Sequence, residues 1–225
     1  MNDKQMVALQ AAKYVKSGML IGLGTGSTAN YFIEELARLQ REEHLKVTTV
    51  ASSTISAISA QSLGLPIVAI EHISSIDLYV DGADEITPEM TLLKGRGSDL
   101  VKEKLLAKAA IQFIAVADES KLVSRIGQNF VIPIEVIPFA WQLAKKSLEN
   151  IGGNGGLRPN AAKDGFWVTS HGSYVLDMTF DKSLDAKTLN DLISNTPGVV
   201  EHGIFYDLTD AVFIAANGFV SERWI

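Results

Sequence analysis

The chain has 225 residues, 47% hydrophobic and 20% charged, with a formal net charge of −6. This is the balance of an ordinary globular protein with room for one large domain or two smaller ones. The lack of a basic tail or Lys/Arg cluster argues against nucleic acid or an anionic membrane as the main partner, though local positive charge can still hold a small anion. With no cysteine, disulfides, thiolate zinc sites and a cysteine nucleophile are excluded. No signal-peptide core and no apolar stretch near the ~20 residues needed to cross a bilayer are present, so a cytoplasmic protein is expected.

Apolar positions at Met6, Val7, Leu9, Ala11, Ala12, Tyr14 and Val15 repeat with a helical period over residues 4–16, and Ser17-Gly18 ends that helix. Residues 19–23 read as a short buried strand, followed by a glycine loop and a helix to about Leu39. Further strands are expected at 47–51, 66–70, 76–80 and 113–117. Wholly apolar strands alternating with helices predict an α/β fold, a Rossmann-like and mostly parallel sheet with helices on both faces. The pattern changes after Gly127: a strand at 131–136, a helix at 138–150, a glycine-rich turn at 152–156, then strands at 166–169 and 174–178 around His171-Gly172. A helix at 185–194 and a strand at 199–205 complete a β-α-β-β-α-β order, that of a ferredoxin-like α+β domain. The expected organisation is a catalytic domain of residues 1–127 and 206–225, with a smaller domain of residues 128–205.

The first glycine loop reads Gly22-Leu23-Gly24-Thr25-Gly26-Ser27-Thr28 between a strand and a helix. That arrangement puts free backbone N–H groups, the positive end of a helix and three hydroxyls at one spot, which suits phosphate; the plainer alternative is a capped tight turn. A dinucleotide fingerprint needs glycine at Ser27 and an acid ending the second strand, where Ala51-Ser52-Ser53-Thr54 stands. The missing acid also weakens a methyltransferase reading, and no Gly-Lys-Ser/Thr follows for a nucleotide P-loop.

A second constellation runs from Asp81-Gly82-Ala83-Asp84-Glu85 to Lys94-Gly95-Arg96-Gly97-Ser98-Asp99 and Lys102-Glu103-Lys104. Asp81 and Asp84 lie at the mouth of the sheet, either binding sugar hydroxyls or forming a solvated acidic turn. Lys94 is either a surface charge or a cation aimed into the same pocket, and Ser98-Asp99 reads as a helix start. Glu103 sits on that helix among Leu100, Val101, Leu105, Leu106 and Ala109. It is either a partly desolvated general base or an exposed acid between two lysines, and spacing alone does not choose. No histidine or further acid stands at metal-ligand spacing near the acidic turn. His44, His72, His171 and His202 are scattered and read as structural or surface residues.

These segments, with Ser52-Ser53-Thr54, Ala117-Asp118-x-Ser120-Lys121, Pro133-x-Glu135-Val136-Ile137-Pro138 and Pro197-Gly198-Val199-Val200, closely resemble the type A family of ribose-5-phosphate isomerases, in the family's order over almost the whole chain. The resemblance implies an aldose-ketose isomerase that interconverts ribose 5-phosphate and ribulose 5-phosphate in the non-oxidative pentose phosphate pathway. It further implies no metal or organic cofactor, a small sugar phosphate as ligand, and assembly as a homodimer or homotetramer. It makes Glu103 the general base and Lys94, Asp81 and Asp84 the residues that contact sugar oxygens and stabilise or protonate the enediolate. It gives Thr25, Gly26, Ser27, Thr28, Asp81, Gly82, Ala83, Asp84, Lys94, Gly95, Arg96, Gly97 and Lys121 as substrate-binding positions, with phosphate contact the role preferred for the Thr25 loop and Lys121.

Three stretches depart from the family pattern. Arg96 stands where glycine is usual, and a positive φ there would cost arginine about 1–2 kcal/mol; alternatively its guanidinium meets the substrate or a neighbouring subunit. The hairpin Ser170-His171-Gly172-Ser173 replaces the common Asp-Asn-Gly-Asn, and residues 152–158 are richer in glycine than usual. Competing functions are a sugar-phosphate deaminase or lactonase, which would carry a histidine near the acidic turn, and a non-catalytic sugar-phosphate sensor, which would carry a basic helix-turn-helix.

Overall fold

The computed structural model describes residues 2–97 and 99–225, so Ser98, expected with Asp99 to start a helix, lies outside the described residues. In chain order the first elements are α1 (Asp3–Ala12), β1 (Leu20–Leu23), α2 (Ser27–Glu42), β2 (Thr48–Ala51), α3 (Thr54–Ser62) and β3 (Leu78–Gly82). Next come β4 (Glu85–Ile86), β5 (Leu92–Leu93), α4 (Leu100–Ala109), β6 (Phe113–Asp118), β7 (Ile132–Val136) and α5 (Trp141–Asn150). The last are β8 (Asn154–Leu157), β9 (Tyr174–Thr179), α6 (Ala186–Ser194), β10 (Val199–His202), β11 (Ile204–Phe205), β12 (Ala211–Ala216) and β13 (Phe219–Trp224). Side chains start several helices: Asn2 accepts from the Gln5 N–H, Ser53 from Ser56 and Asp185 from Thr188.

By internal packing the chain divides into two units. The first is Met1–Ala83, Lys102–Lys121 and Leu208–Ile225. It holds a six-stranded sheet in the order β13-β12-β6-β3-β1-β2, parallel throughout except for β13. Strands β1, β3, β6 and β12 are buried along nearly their whole length, as the apolar runs require. Val7, Ala8 and Ala11 of α1 and Phe32, Ile33 and Leu36 of α2 join Ile21, Leu23, Val80, Ile114 and Phe213 in one core. The strand order changes direction at β1, which lies between β2 and β3. Loops after β1 and β3 therefore leave the sheet at a topological switch point, where open α/β sheets bind ligands.

The second unit is Asp84–Val101 and Leu122–Asp207. Its four-stranded antiparallel sheet, in the order β10-β7-β9-β8, carries α5 and α6 in the β-α-β-β-α-β succession read from the sequence. The sequence pattern grouped residues 84–101 with the first unit. They group with the second because β4 pairs with β5 and β5 with β11 in a separate three-stranded sheet. Glu85 anchors that region: its fully buried carboxylate accepts from the N–H groups of Gly127 (2.6 Å), Asn129 (2.6 Å) and Phe130 (3.0 Å).

Several expected elements are redrawn. The strand at 66–70 is reduced to a single bridge, Thr49 to Ile67, beside a proline that cannot donate to a ladder. The first helix ends at Ala12 rather than near residue 16. The glycine-rich stretch 152–156 is largely strand β8, because a Cβ at Gly155 would stand 2.0 Å from the Asp177 carbonyl oxygen and only glycine lets the two strands approach so closely. Residues 166–169 make only isolated bridges, so β9 takes β8 as its partner instead. The strand expected at 199–205 divides into β10 and β11, which belong to different sheets.

Glu135, in the middle of β7, is wholly buried, and neither carboxylate oxygen makes a hydrogen bond among the described residues. Burial pushes its carboxyl up from 4.5 to about 7, and the charges of Asp99 and Glu201 add to the shift. The folded state therefore holds this proton more tightly than the unfolded chain. The associated stability is complete below about pH 4.5 and is lost as pH rises through about 7. Denaturant melts of wild type and Glu135→Gln at pH 5 and pH 8 should show the wild type losing about 2.5 kcal/mol more than the variant on going to pH 8.

Candidate active site

In the first unit, the carboxylate of Asp81 at the end of β3 is fully buried. Its Oδ1 accepts from the Thr25 N–H (3.0 Å) and the Gly82 N–H (2.7 Å), and its Oδ2 accepts from the Tyr79 hydroxyl (2.5 Å). Gly24 makes this approach possible, since a Cβ there would stand 2.1 Å from Asp81 Oδ1. The Thr25 loop is thus tied across the switch point by one carboxylate. Gly26, at φ 106°, then turns the chain into α2 without any side-chain cap. The first N–H groups of a helix have no partner within it, so an uncapped start presents donors and partial positive charge together.

The Thr25 hydroxyl turns inward. It lies 2.9 Å from Ser52 Oγ, 2.8 Å from Ser53 Oγ and 3.3 Å from Ser56 Oγ, and Ser56 donates in turn to the Gly24 carbonyl (2.6 Å). This buried hydroxyl cluster braces the loop from behind. It leaves the Ser27 and Thr28 hydroxyls and the α2 N–H groups as the loop's outward donors.

Lys4 of α1 donates to Ser27 Oγ at 2.9 Å, bringing an ammonium group to the same helix start. Lys121 ends a 3-10 turn, Glu119–Lys121, just after β6. The Asp118 carboxyl is held below its ordinary value, first by the Ser120 hydroxyl and backbone N–H, and further by the charges of Lys121 and Lys4. Both lysines therefore bear on one neighbourhood at the carboxyl ends of β1 and β6. Sequence reading found Lys121 but missed Lys4, whose contact spans 23 positions and has no local signature.

Glu103, on the first turns of α4, is 4% exposed, which decides between the two readings left open by its spacing: it is buried, as is Lys104. Leu105 beside them is instead exposed. The Tyr79 phenol is pushed well above its ordinary range by burial and then by the charges of Asp81 and Glu103, so it remains a hydrogen-bond donor. Glu103, Tyr79 and Asp81 thus share one water-poor environment. Gly82 and Ala83 follow at the strand end, both partly buried.

In the second unit, Lys94 is also buried, at 4% exposure, which removes the surface-charge reading. Its N–H donates to the Gly203 carbonyl (2.9 Å), and its ammonium lies 5.6 Å from the centroid of the Phe205 ring. Asp84, whose N–H donates to the Leu93 carbonyl (2.8 Å), keeps its side chain about one-fifth exposed. Gly95 carries a positive φ of 91°, whereas Arg96 does not, so the strain considered for arginine at this position is absent. The Arg96 guanidinium lies 4.2 Å from the Phe130 ring centroid, with Nη1 3.8 Å from Asp84 Oδ1. Gly97 follows it, exposed.

Comparison with known proteins matches residues 48–218 to the family model of ribose 5-phosphate isomerase A (phosphoriboisomerase A). A ribose-5-phosphate isomerase A of Methanothermobacter thermautotrophicus is 44% identical over 218 residues, covering 96% of this chain and 95% of the relative. One from Prochlorococcus marinus is 42% identical over 213 residues, 94% of this chain and 90% of the relative. Among solved structures, ribose 5-phosphate isomerase A of Methanocaldococcus jannaschii superposes with a TM-score of 0.93 at 38% identity, covering 99% of this chain and 98% of that one. A D-ribose-5-phosphate isomerase in complex with phospho-erythronic acid gives 0.95 at 35% identity over 100% of both chains.

The loop makes a direct prediction about anions. Titration with inorganic phosphate, followed by backbone amide resonances, should move Thr25 to Thr28 in the wild type. Lys4→Ala should weaken that binding about tenfold, the effect of removing one charge-assisted hydrogen bond.

Proposed function

The chain belongs to the ribose 5-phosphate isomerase A family, and we propose that it interconverts D-ribose 5-phosphate and D-ribulose 5-phosphate by a side-chain-mediated proton transfer. Glu103 takes the proton from C2 of the open-chain aldose, a C1–C2 enediolate forms, the O2 hydroxyl proton passes to O1, and Glu103 returns its proton to C1 while C2 becomes the carbonyl. The observation that carries this reading is the burial of Glu103 beside Tyr79 and Asp81. A base shielded from bulk water can keep the abstracted proton and return it to the neighbouring carbon.

The enediolate needs a partner for its developing charge, and Lys94 is assigned that task, with Asp84 orienting the sugar hydroxyls. Asp81 contributes as the anchor of the Thr25 loop. That loop, Lys4 and Lys121 are assigned to the phosphate. The relative in complex with phospho-erythronic acid supports the same chemistry, because a carboxylate resembles the planar, two-oxygen, anionic enediolate. We place the enzyme in the cytoplasm as a homodimer or homotetramer; among the described residues no helix is long and apolar enough to cross a membrane. A deaminase, lactonase or sensor finds no support in the family match.

A direct isomerisation assay on ribose 5-phosphate tests the assignment. Lys94→Ala should lose about two to three decades in turnover, roughly 3–4 kcal/mol of transition-state stabilisation. Glu103→Gln should lose more while keeping a wild-type circular dichroism spectrum. Near-normal turnover in folded Glu103→Gln would remove it as the base.

A further inference from the structure

We propose that Arg96 is a positioning residue that holds the carboxylate of Asp84 for catalysis; this inference rests on the isomerase reading above. Arginine supplies both a charge and a planar face that can stack on a ring. The structure gives the side chain a definite place. Its guanidinium is 4.2 Å from the Phe130 ring centroid, and Nη1 lies 3.8 Å from Asp84 Oδ1.

A half-exposed arginine facing a carboxylate ordinarily contributes little, because ordering a long side chain opposes a screened attraction. Three features change that balance. First, the ring on which the guanidinium rests is fixed through its own backbone, since the Phe130 N–H donates to buried Glu85 Oε1 at 3.0 Å. Second, the Arg96 main chain is held by Arg158, whose Nη1 donates to the Arg96 carbonyl at 3.2 Å. Arg158 is in turn locked by two parallel bonds to Asp177, Nε to Oδ2 at 2.9 Å and Nη2 to Oδ1 at 2.7 Å. Third, the Asp84 side chain is only 22% exposed against 53% for Arg96, so water screens the carboxylate less than the guanidinium.

The separation of 3.8 Å is that of an ion pair without a hydrogen bond. Arg96 therefore biases where the Asp84 carboxylate sits without itself taking a hydrogen-bonding position on it. A displaced Asp84 carboxylate leaves the bound sugar out of its reacting geometry, so the loss should appear mainly in kcat.

The test is steady-state kinetics on ribose 5-phosphate with the full chain, after thermal melts confirm that each variant is folded. Arg96→Gln should lower kcat about three- to tenfold with KM within twofold. Arg96→Lys, which keeps the charge, should recover most of the loss. In an Asp84→Asn background, Arg96→Gln should cost less than twofold further, because a residue acting through Asp84 has nothing left to act on. A rise in KM with kcat intact would make Arg96 a direct substrate contact and overturn the proposal. So would an undiminished loss in the Asp84→Asn background, or unchanged kinetics in folded Arg96→Gln. Glu103→Gln separates the two levels: if it is inactive while Arg96→Gln matches wild type, only this inference falls. A wild type inactive on ribose 5-phosphate removes the isomerase reading and this inference together.

Discussion

The buried carboxylate of Asp81 is the constraint on which the first unit's site is built. A parallel sheet ends in loops that share no backbone hydrogen bonds with one another, so something else must set their mutual geometry. Asp81 does this from the end of β3 by accepting from the Thr25 N–H, the Gly82 N–H and the Tyr79 hydroxyl. A fully buried carboxylate left without such donors would cost several kcal/mol. The same bonds that make its burial tolerable therefore fix the start of α2. Gly24 is the sequence's answer to the resulting lack of space.

The motif Asp81-Gly82-Ala83-Asp84-Glu85 contains three acids with three different duties. Asp81 and Glu85 are each wholly buried and each accept three hydrogen bonds, Glu85 entirely from main-chain N–H groups. Asp84 between them keeps a partly exposed carboxylate and an arginine at ion-pair distance. The acidic turn is therefore two anchors around one addressable group. A view of it as a simple pair of sugar-binding aspartates misses that Glu85, outside the pair, is as deeply engaged as Asp81.

Much of the fold was legible because periodicity reports burial directly. Wholly apolar strands became the parallel sheet, and the β-α-β-β-α-β succession became the second unit's antiparallel sheet. Failures occurred where a backbone approach outweighed local preference, as at Gly155, where a glycine run that reads as a turn is a strand pressed against β9. Asp81, Asp84, Lys94, Glu103, Lys121 and the Thr25 loop were all singled out as candidates through motif order. Whether Glu103 is buried was not legible, since lysines on both sides argue for a solvated face. Its neighbour Lys104 is buried too, while Leu105 is exposed, an inversion of the helical apolar pattern that only tertiary packing can produce. Lys4 was invisible for a simpler reason: nothing within α1 refers to Ser27.

Arg96, Arg158 and Ser170 meet around one loop. Arg96 lies in it, Arg158 holds its main chain, and the Ser170 hydroxyl contacts Asp99 Oδ1 at 3.3 Å. Read singly, each looks like tolerated surface variation in a different part of the chain. Packed together, they are one local solution: the Arg96 guanidinium has a ring to lie on and a fixed backbone behind it. Phe130 supplies the ring, held by Glu85, and Arg158 supplies the restraint, held by Asp177. Substitutions that share a loop in this way are expected to be coupled in energy, because each changes the geometry on which the others act. Arg96 is thereby explained by neighbours in space that are distant in sequence, Asp84, Phe130 and Arg158.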